Sequence, residues 1–239
     1  MILDLEDGVA GPDRGSARTA LLQTRLDPAR TVIRVNPVGT PDHALDLAVL
    51  AQSDYTTVML AKTETSEQVR SLAPLDVVVL VETPLGALAV GETARVDNTV
   101  AVMWGAEDLF AATGGTANRH PDGRYRDVAT HVRSQCLLAA KAYAKTALDS
   151  VYLDIGDLDG LRVESDDAVA VGFDAKVAIH PTQVAVIRAA YAPTEAQLRW
   201  ARAVLDAARS ERGVFRFEGQ MVDMPVLRRA QRIVGLAGD

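Results

Sequence analysis

Two acids stand just past the ends of apolar runs: Glu82 follows Asp76-Val77-Val78-Val79-Leu80-Val81, and Asp108 follows residues 99–107. If both runs are buried parallel strands, the carboxylates emerge on the same rim of one sheet, where α/β folds place ligands and metals. Magnesium takes a few carboxylates and keeps water or substrate oxygens in its other octahedral positions. The spacing from Glu82 to Asp108 is that of one βα unit, so the two side chains can converge and still leave room for a bidentate hydroxy or keto acid. Each acid alone also fits a helix N-cap or a first-turn carboxylate stabilised by the helix dipole. Glu107 stands beside Asp108 as a competitor.

Other residues join this pair. Glu6-Asp7-Gly8-Val9 takes the same rim position at the end of the first apolar run. It reads either as acids orienting metal waters or as a strand-to-helix turn built with Asp and Gly. Arg34 lies near the end of Thr31-Val32-Ile33-Arg34-Val35-Asn36. A guanidinium there needs a carboxylate, a thioester oxygen or a phosphate, or an ion pair with an acid on the adjacent strand such as Glu6 or Asp7, because an unpaired buried charge is very costly. Between Lys176 and Gln183 a strand ends at His180, and Pro181 opens a helix whose N-terminus can receive an anion. A structural cap is the alternative for His180. Asp223 precedes Met224-Pro225 and a helix, and by itself reads as an N-cap. His43, His120 and His131 have no converging partners in the sequence. Cys136 is the single cysteine, which excludes an internal disulfide and a zinc cluster; its surroundings read as helix interior and its thiol as buried.

Holding such residues on one rim requires alternating strands and helices, and the chain supplies them. Short β-branched runs at 1–5, 31–36, 57–61, 76–82, 99–105, 150–155 and 175–180 predict strands. Amphipathic or Ala-rich stretches at 14–25, 41–52, 64–72, 84–94, 127–148 and 160–171 predict crossover helices. Roughly seven strands stand against the eight of a closed (β/α)8 barrel. Met1 opens directly on an apolar run, so the shortfall is expected at the front: an open barrel, or a natural chain that starts earlier. One barrel domain is expected over 1–191. Beyond it, Pro193-Thr194-Glu195-Ala196-Gln197 offers a capping box. That box predicts a helix to Ser210, followed by a loop over 213–225 and a helix over 225–236, making a C-terminal extension of residues 192–239.

Composition narrows the function. Hydrophobic residues make up 48% of 239 but aromatics only 5%, so Ala, Val and Leu must fill the core. A net charge of -7 disfavours a nucleic-acid surface. No apolar run reaches the length of a membrane span, and the first residues lack the pattern of a signal peptide. The expectation is a soluble cytoplasmic protein with no polynucleotide or membrane partner.

Together the segments resemble the citrate lyase β-subunit-like branch of the HpcH/HpaI aldolase superfamily, which includes citramalyl-CoA and malyl-CoA lyases. The resemblance rests on Leu3-Asp4-Leu5-Glu6-Asp7-Gly8-Val9, Arg34-Val35-Asn36, Val81-Glu82-Thr83-Pro84-Leu85-Gly86, Trp104-Gly105-Ala106-Glu107-Asp108-Leu109, Gly172-Phe173 through His180-Pro181-Thr182-Gln183, and Gly219-Gln220-Met221-Val222-Asp223, in family order. It implies a TIM-type barrel lacking its first βα unit, Mg²⁺ held by Glu82 and Asp108, and Arg34 at the reacting oxygen. It also implies that Lys176, His180, Pro181 and Gln183 help hold a CoA arm. Asp223 becomes a catalytic acid/base on a C-terminal helical lid that closes over a neighbouring subunit, in a homo-oligomer of trimeric type. The implied activity is carbon–carbon cleavage or formation of a 3-hydroxyacyl-CoA, to acetyl-CoA and a keto acid. An aldolase acting on free hydroxy-keto acids and a catalytically silent lyase subunit are the alternatives.

Overall fold

The computed structural model describes residues 1–211 and 213–237. Seven parallel strands form one sheet: β1 (Ile2–Asp4), β2 (Val32–Val35), β3 (Thr57–Leu60), β4 (Asp76–Val81), β5 (Thr99–Trp104), β6 (Thr146–Asp149) and β7 (Ala175–Lys176), paired in chain order. Helices α1 (Arg14–Gln23), α2 (Pro41–Leu50), α3 (Ser66–Arg70), α4 (Pro84–Ala94), α5 (Ala106–Ala112), α6 (Asp127–Ala142) and α7 (Leu158–Val171) lie between them in sequence. Parallel neighbours in unbroken order are the wiring of a TIM-type (β/α) barrel; a doubly wound sheet would reverse its order at a switch point.

Local chemistry starts these helices where the strands end. Thr40 and Thr83 each precede a proline, and each side chain accepts from a backbone N–H in the first turn of α2 or α4. Thr65 and Gln68 form a reciprocal capping box on α3. Alternate strand residues divide between two faces. Met59, Val78, Leu80, Ala101 and Met103 pack together with Ile2, Val32 and Leu148, and these share the parity of Arg34.

Two expectations change here. Helix α6 ends at Ala142, not 148, and the strand expected at 150–155 lies at Thr146–Asp149. Tyr143 and Ala144 end the helix, with Ala144 in the left-handed region at φ 55°. The chain is thereby released early enough for Thr146, Ala147 and Leu148 to pair with Ala101, Val102 and Met103.

The chain groups into two compact units, 1–152 with 170–177, and 153–169 with 178–239. The sheet belongs to the first. The second contains α8 (Pro181–Tyr191), α9 (Glu195–Ala207), a hairpin of β8 (Phe215–Phe217) and β9 (Gln220–Val222), and α10 (Met224–Gly235). The hairpin replaces the loop expected over 213–225. Glu218 and Gly219 both take positive φ, the two-residue turn that matches strand twist. Ala201, Val204, Val222 and Ala230 form the core of this part, joined by Trp200, Phe215 and Phe217. Among the described residues no helix is long and apolar enough to cross a membrane.

Candidate active site

In a parallel sheet all strands finish at one rim, and in the first unit that rim gathers charge. Asp4 and Arg34 are register partners on neighbouring strands. They meet side by side, Arg34 Nε donating to Asp4 Oδ1 at 2.7 Å and the second guanidinium nitrogen to Oδ2 at 2.5 Å. The Asp4 carboxylate also closes the following turn, accepting from the N–H groups of Glu6 (3.0 Å) and Gly8 (2.9 Å). A Cβ on Gly8 would stand 2.2 Å from Asp4 Oδ2, so a side chain there would have to displace the Asp4 carboxylate. Burial opposes ionisation of Asp4, but Arg34 and the two N–H donors prevail and hold it below the ordinary carboxylate range. Arg34 reaches Glu6 as well, at 3.4 Å, and its pKa is raised despite burial.

Glu82 is only 2% exposed. Lys62 N–H donates to its Oε1 at 2.9 Å. Burial and the nearby charge of Asp108 push its pKa up to about 7, against the pull of Lys62. Gly105, at the end of β5, makes the space for this carboxylate: a Cβ there would lie 2.9 Å from both Cβ and Oε2 of Glu82. Asp108 sits in the first turn of α5, with its side chain 40% exposed and its Oδ1 3.5 Å from Lys62 Nζ. The competitor Glu107 is turned onto Asn118, whose amide donates to it at 2.5 Å.

The donor set around Glu82 and Asp108 is all oxygen, and its negative charge is under-compensated at Glu82. That combination fits a hard divalent cation. Among the described residues no group of three or more His, Cys, Asp or Glu forms a metal cage. Two carboxylates from the protein, with water and substrate oxygens completing the shell, is the habit of magnesium and not of a dedicated cage.

The remaining expected site residues divide between the two units. Lys176, on β7, has its ammonium enclosed, 3.2 Å from Asp149 Oδ2 and donating to the Ser150 carbonyl at 2.7 Å. Asp149 also accepts from Trp104 Nε1 (2.7 Å) and Arg133 Nε (2.9 Å). In the second unit, His180 is the N-cap of α8, its Nδ1 accepting from Thr182 N–H at 3.3 Å with Pro181 next in the chain. Gln183 is buried and its Oε1 accepts from Ile179 N–H at 3.0 Å, closing the same turn. Asp223 caps α10, its Oδ1 accepting from Val226 N–H at 3.3 Å. His43 is buried, its Nδ1 2.7 Å from the Asn36 carbonyl. Cys136 is buried in α6, and burial raises its thiol pKa.

Sequence reasoning missed Asp4, Lys62 and Gly105. Asp4 was legible as the acid inside the first strand in register with Arg34. Lys62 was signalled by a basic residue two positions after the apolar strand 57–60, and Gly105 by a glycine directly after a largely apolar one.

Comparison with known proteins agrees with this picture. The sequence model of the HpcH/HpaI aldolase/citrate lyase family matches residues 1–181. A citrate lyase subunit beta-like protein of Mycobacterium tuberculosis is 57% identical over 239 residues, which is 100% of this chain and 88% of that protein. The mitochondrial citramalyl-CoA lyase of Homo sapiens is 32% identical over 269 residues, 99% of this chain and 78% of the relative. The crystal structure of CitE from M. tuberculosis in complex with magnesium, acetoacetate and coenzyme A superposes with a TM-score of 0.96 at 57% identity, over 100% of this chain and 89% of the other.

Proposed function

Since this chain belongs to the HpcH/HpaI aldolase/citrate lyase family, we propose that it is a magnesium-dependent carbon–carbon lyase acting on a 3-hydroxyacyl-CoA of the citramalyl, malyl or citryl type. The observation that carries this reading is Glu82, a buried carboxylate pushed up to about 7 beside Asp108, in a space that Gly105 keeps open. The solved relative that holds magnesium and coenzyme A supports it. Glu82 and Asp108 would hold the cation, which supplies Lewis acidity to the hydroxyl and carboxylate of the substrate.

The chain's own residues do the rest. The substrate hydroxyl gives its proton to solvent water as the bond between the hydroxyl-bearing carbon and the acetyl carbon breaks, leaving a keto acid. The bonding electron pair leaves with the acetyl fragment as a thioester enolate, whose oxyanion faces the Arg34 guanidinium. Asp4 fixes that guanidinium in place by the paired hydrogen bonds. Asp223 delivers a proton to the enolate carbon, and in the condensation direction removes it. In this reading Asp223 is brought over the barrel of a neighbouring copy in a homo-oligomer of trimeric type. His180, Pro181 and Gln183 shape the start of α8 that receives the CoA arm, and Lys176 anchors the segment leading to it.

The test is keto-acid release from citramalyl-, malyl- and citryl-CoA by the purified chain, with and without Mg²⁺, alongside Glu82→Gln and Asp223→Asn. Magnesium-dependent release from at least one thioester, reduced more than about 100-fold in both variants, is expected. Turnover that ignores magnesium, or is unchanged in Asp223→Asn, would refute the assignment. Failure with every thioester would favour a structural lyase subunit.

A further inference from the structure

Lys62 touches both proposed metal carboxylates, by different groups. Its backbone N–H donates to Glu82 Oε1 at 2.9 Å, while its Nζ lies 3.5 Å from Asp108 Oδ1. The same ammonium bonds Glu6 Oε1 at 2.5 Å and Asp7 Oδ2 at 2.9 Å. Lys62 takes φ 51°, a left-handed conformation uncommon for a residue with a side chain.

The charge balance gives this geometry a consequence. Asp4 is matched by Arg34, which also reaches Glu6 at 3.4 Å, and Asp7 stands 4.0 Å from Arg14, while the Lys62 ammonium touches Glu6, Asp7 and Asp108 together. A divalent cation on Glu82 and Asp108 meets that ammonium as a like charge at close range. Such repulsion is many times thermal energy even at an effective dielectric of about 20. Without the ammonium, Glu6 and Asp7 would keep only the longer contacts to Arg34 and Arg14, and their negative charge would strengthen the pull on the cation and weaken the pull on an anionic substrate.

Resting on the magnesium reading above, we propose that Lys62 is a positioning residue that serves as a resident counter-ion. It competes with the metal for Asp108, keeps Glu6 and Asp7 off the cation, and so holds magnesium affinity low enough for metal and anionic substrate to bind together. Lys62 trades cation affinity for anion affinity, and the two therefore respond to its removal with opposite signs.

Calorimetric titration of MgCl₂ into the full chain without substrate tests this, followed by titration of pyruvate, as a keto-acid probe, at saturating Mg²⁺. In Lys62→Met, magnesium should bind at least tenfold more tightly and pyruvate at least tenfold more weakly than in the wild type. Lys62→Arg should restore both toward wild type. Lys62→Gly keeps the N–H donor and relieves the backbone, so it should behave as Lys62→Met does, and it replaces that variant if Lys62→Met fails to fold. Unchanged or weaker magnesium binding in the charge-removing variants overturns the inference, as does a joint weakening of both ligands, which would mark Lys62 as a structural brace only. Absence of magnesium binding to the wild type overturns the magnesium reading itself, and this inference with it.

Discussion

Gly105→Ala is the sharpest perturbation of the candidate site, because the added atom has one identified obstacle. Gly105 has φ -117° and ψ 113°, ordinary extended backbone, so alanine meets no conformational penalty there. Its Cβ would stand 2.9 Å from both Glu82 Cβ and Oε2, well inside normal contact. The neighbour is buried and its backbone is fixed by the ladder between β4 and β5, where Val81 pairs with Trp104 and its carbonyl accepts from Gly105 N–H at 2.9 Å. Rotation of the Glu82 side chain can relieve the contact with Oε2, but the contact between the two Cβ atoms yields only to a shift of the strand ends. Overpacking of this kind costs about 1–3 kcal/mol, or roughly 2–4 °C of melting temperature per kcal/mol in a chain of this length. The effect on metal affinity should be larger than the effect on stability, since the atom displaced is the proposed ligand oxygen. Thermal unfolding and magnesium titration measure the two. The cause is isolated by repeating Gly105→Ala in a Glu82→Gly background, which lacks both contacted atoms and where the stability loss should vanish, giving a coupling of about 1–3 kcal/mol. A melting temperature and magnesium affinity equal to wild type in the single variant would refute the steric account of Gly105.

Three further outcomes follow from the same geometry. Glu82 has its folded pKa raised from 4.5 to about 7, so between those values the folded chain binds more protons than the unfolded one. Without metal, stability should therefore fall as pH rises through that window, by about 3 kcal/mol, and Glu82→Gln should abolish that component. A denaturation series showing the same pH slope in both proteins would exclude it. Asp149→Asn removes the charge that Lys176 and Arg133 share inside the fold, and should cost about 3–5 kcal/mol. A melting temperature within about 2 °C of wild type would contradict this. Asp223→Ser retains an N-cap for α10 where Asp223→Ala loses about 1 kcal/mol. If Asp223 also moves the proton, both variants lose turnover by more than about 100-fold although only the alanine is less stable; activity in the serine variant would leave Asp223 as a cap alone.

The first five strands were legible because each is a short apolar run closed by a turn or a helix start, and the structure places them within a residue or two of those runs. Strand β6 was not, since Thr146, Ala147, Leu148 and Asp149 contain one β-branched residue and follow an Ala-rich helix. Pairing with β5 and β7 makes that segment a strand, and no local pattern reports pairing. Helix α5 escaped notice because it is only seven residues long, yet it carries Asp108 in its first turn. In the site, Glu82, Asp108 and Arg34 could be found by residue type at strand ends. The principal partner of Arg34 was misread: Asp4 holds it at hydrogen-bond distance, and Glu6 is secondary at 3.4 Å. Asp7 is taken by Lys62. Strand parity explains the difference, because Asp4 is the residue in register with Arg34 on the same face.

The two buried carboxylates of this sheet show why one of them points to function. Asp149 is met by an indole N–H, a guanidinium and an ammonium, and although burial opposes its ionisation these partners hold its pKa below the ordinary value. Nothing more is required to keep it charged inside the fold. Glu82 is buried to a similar degree, receives a backbone N–H, and stands beside a second carboxylate, so its pKa moves the other way. Its parity matches Leu80 and Val78, on the face opposite that of Asp149, which turns toward Arg133 of α6. A folded chain compensates a buried charge wherever its stability depends on that charge alone. In the magnesium reading proposed above, the rim that holds Glu82 and Asp108 leaves the compensation to be completed by something that binds, and the oxygen-only donor set fits a hard divalent cation.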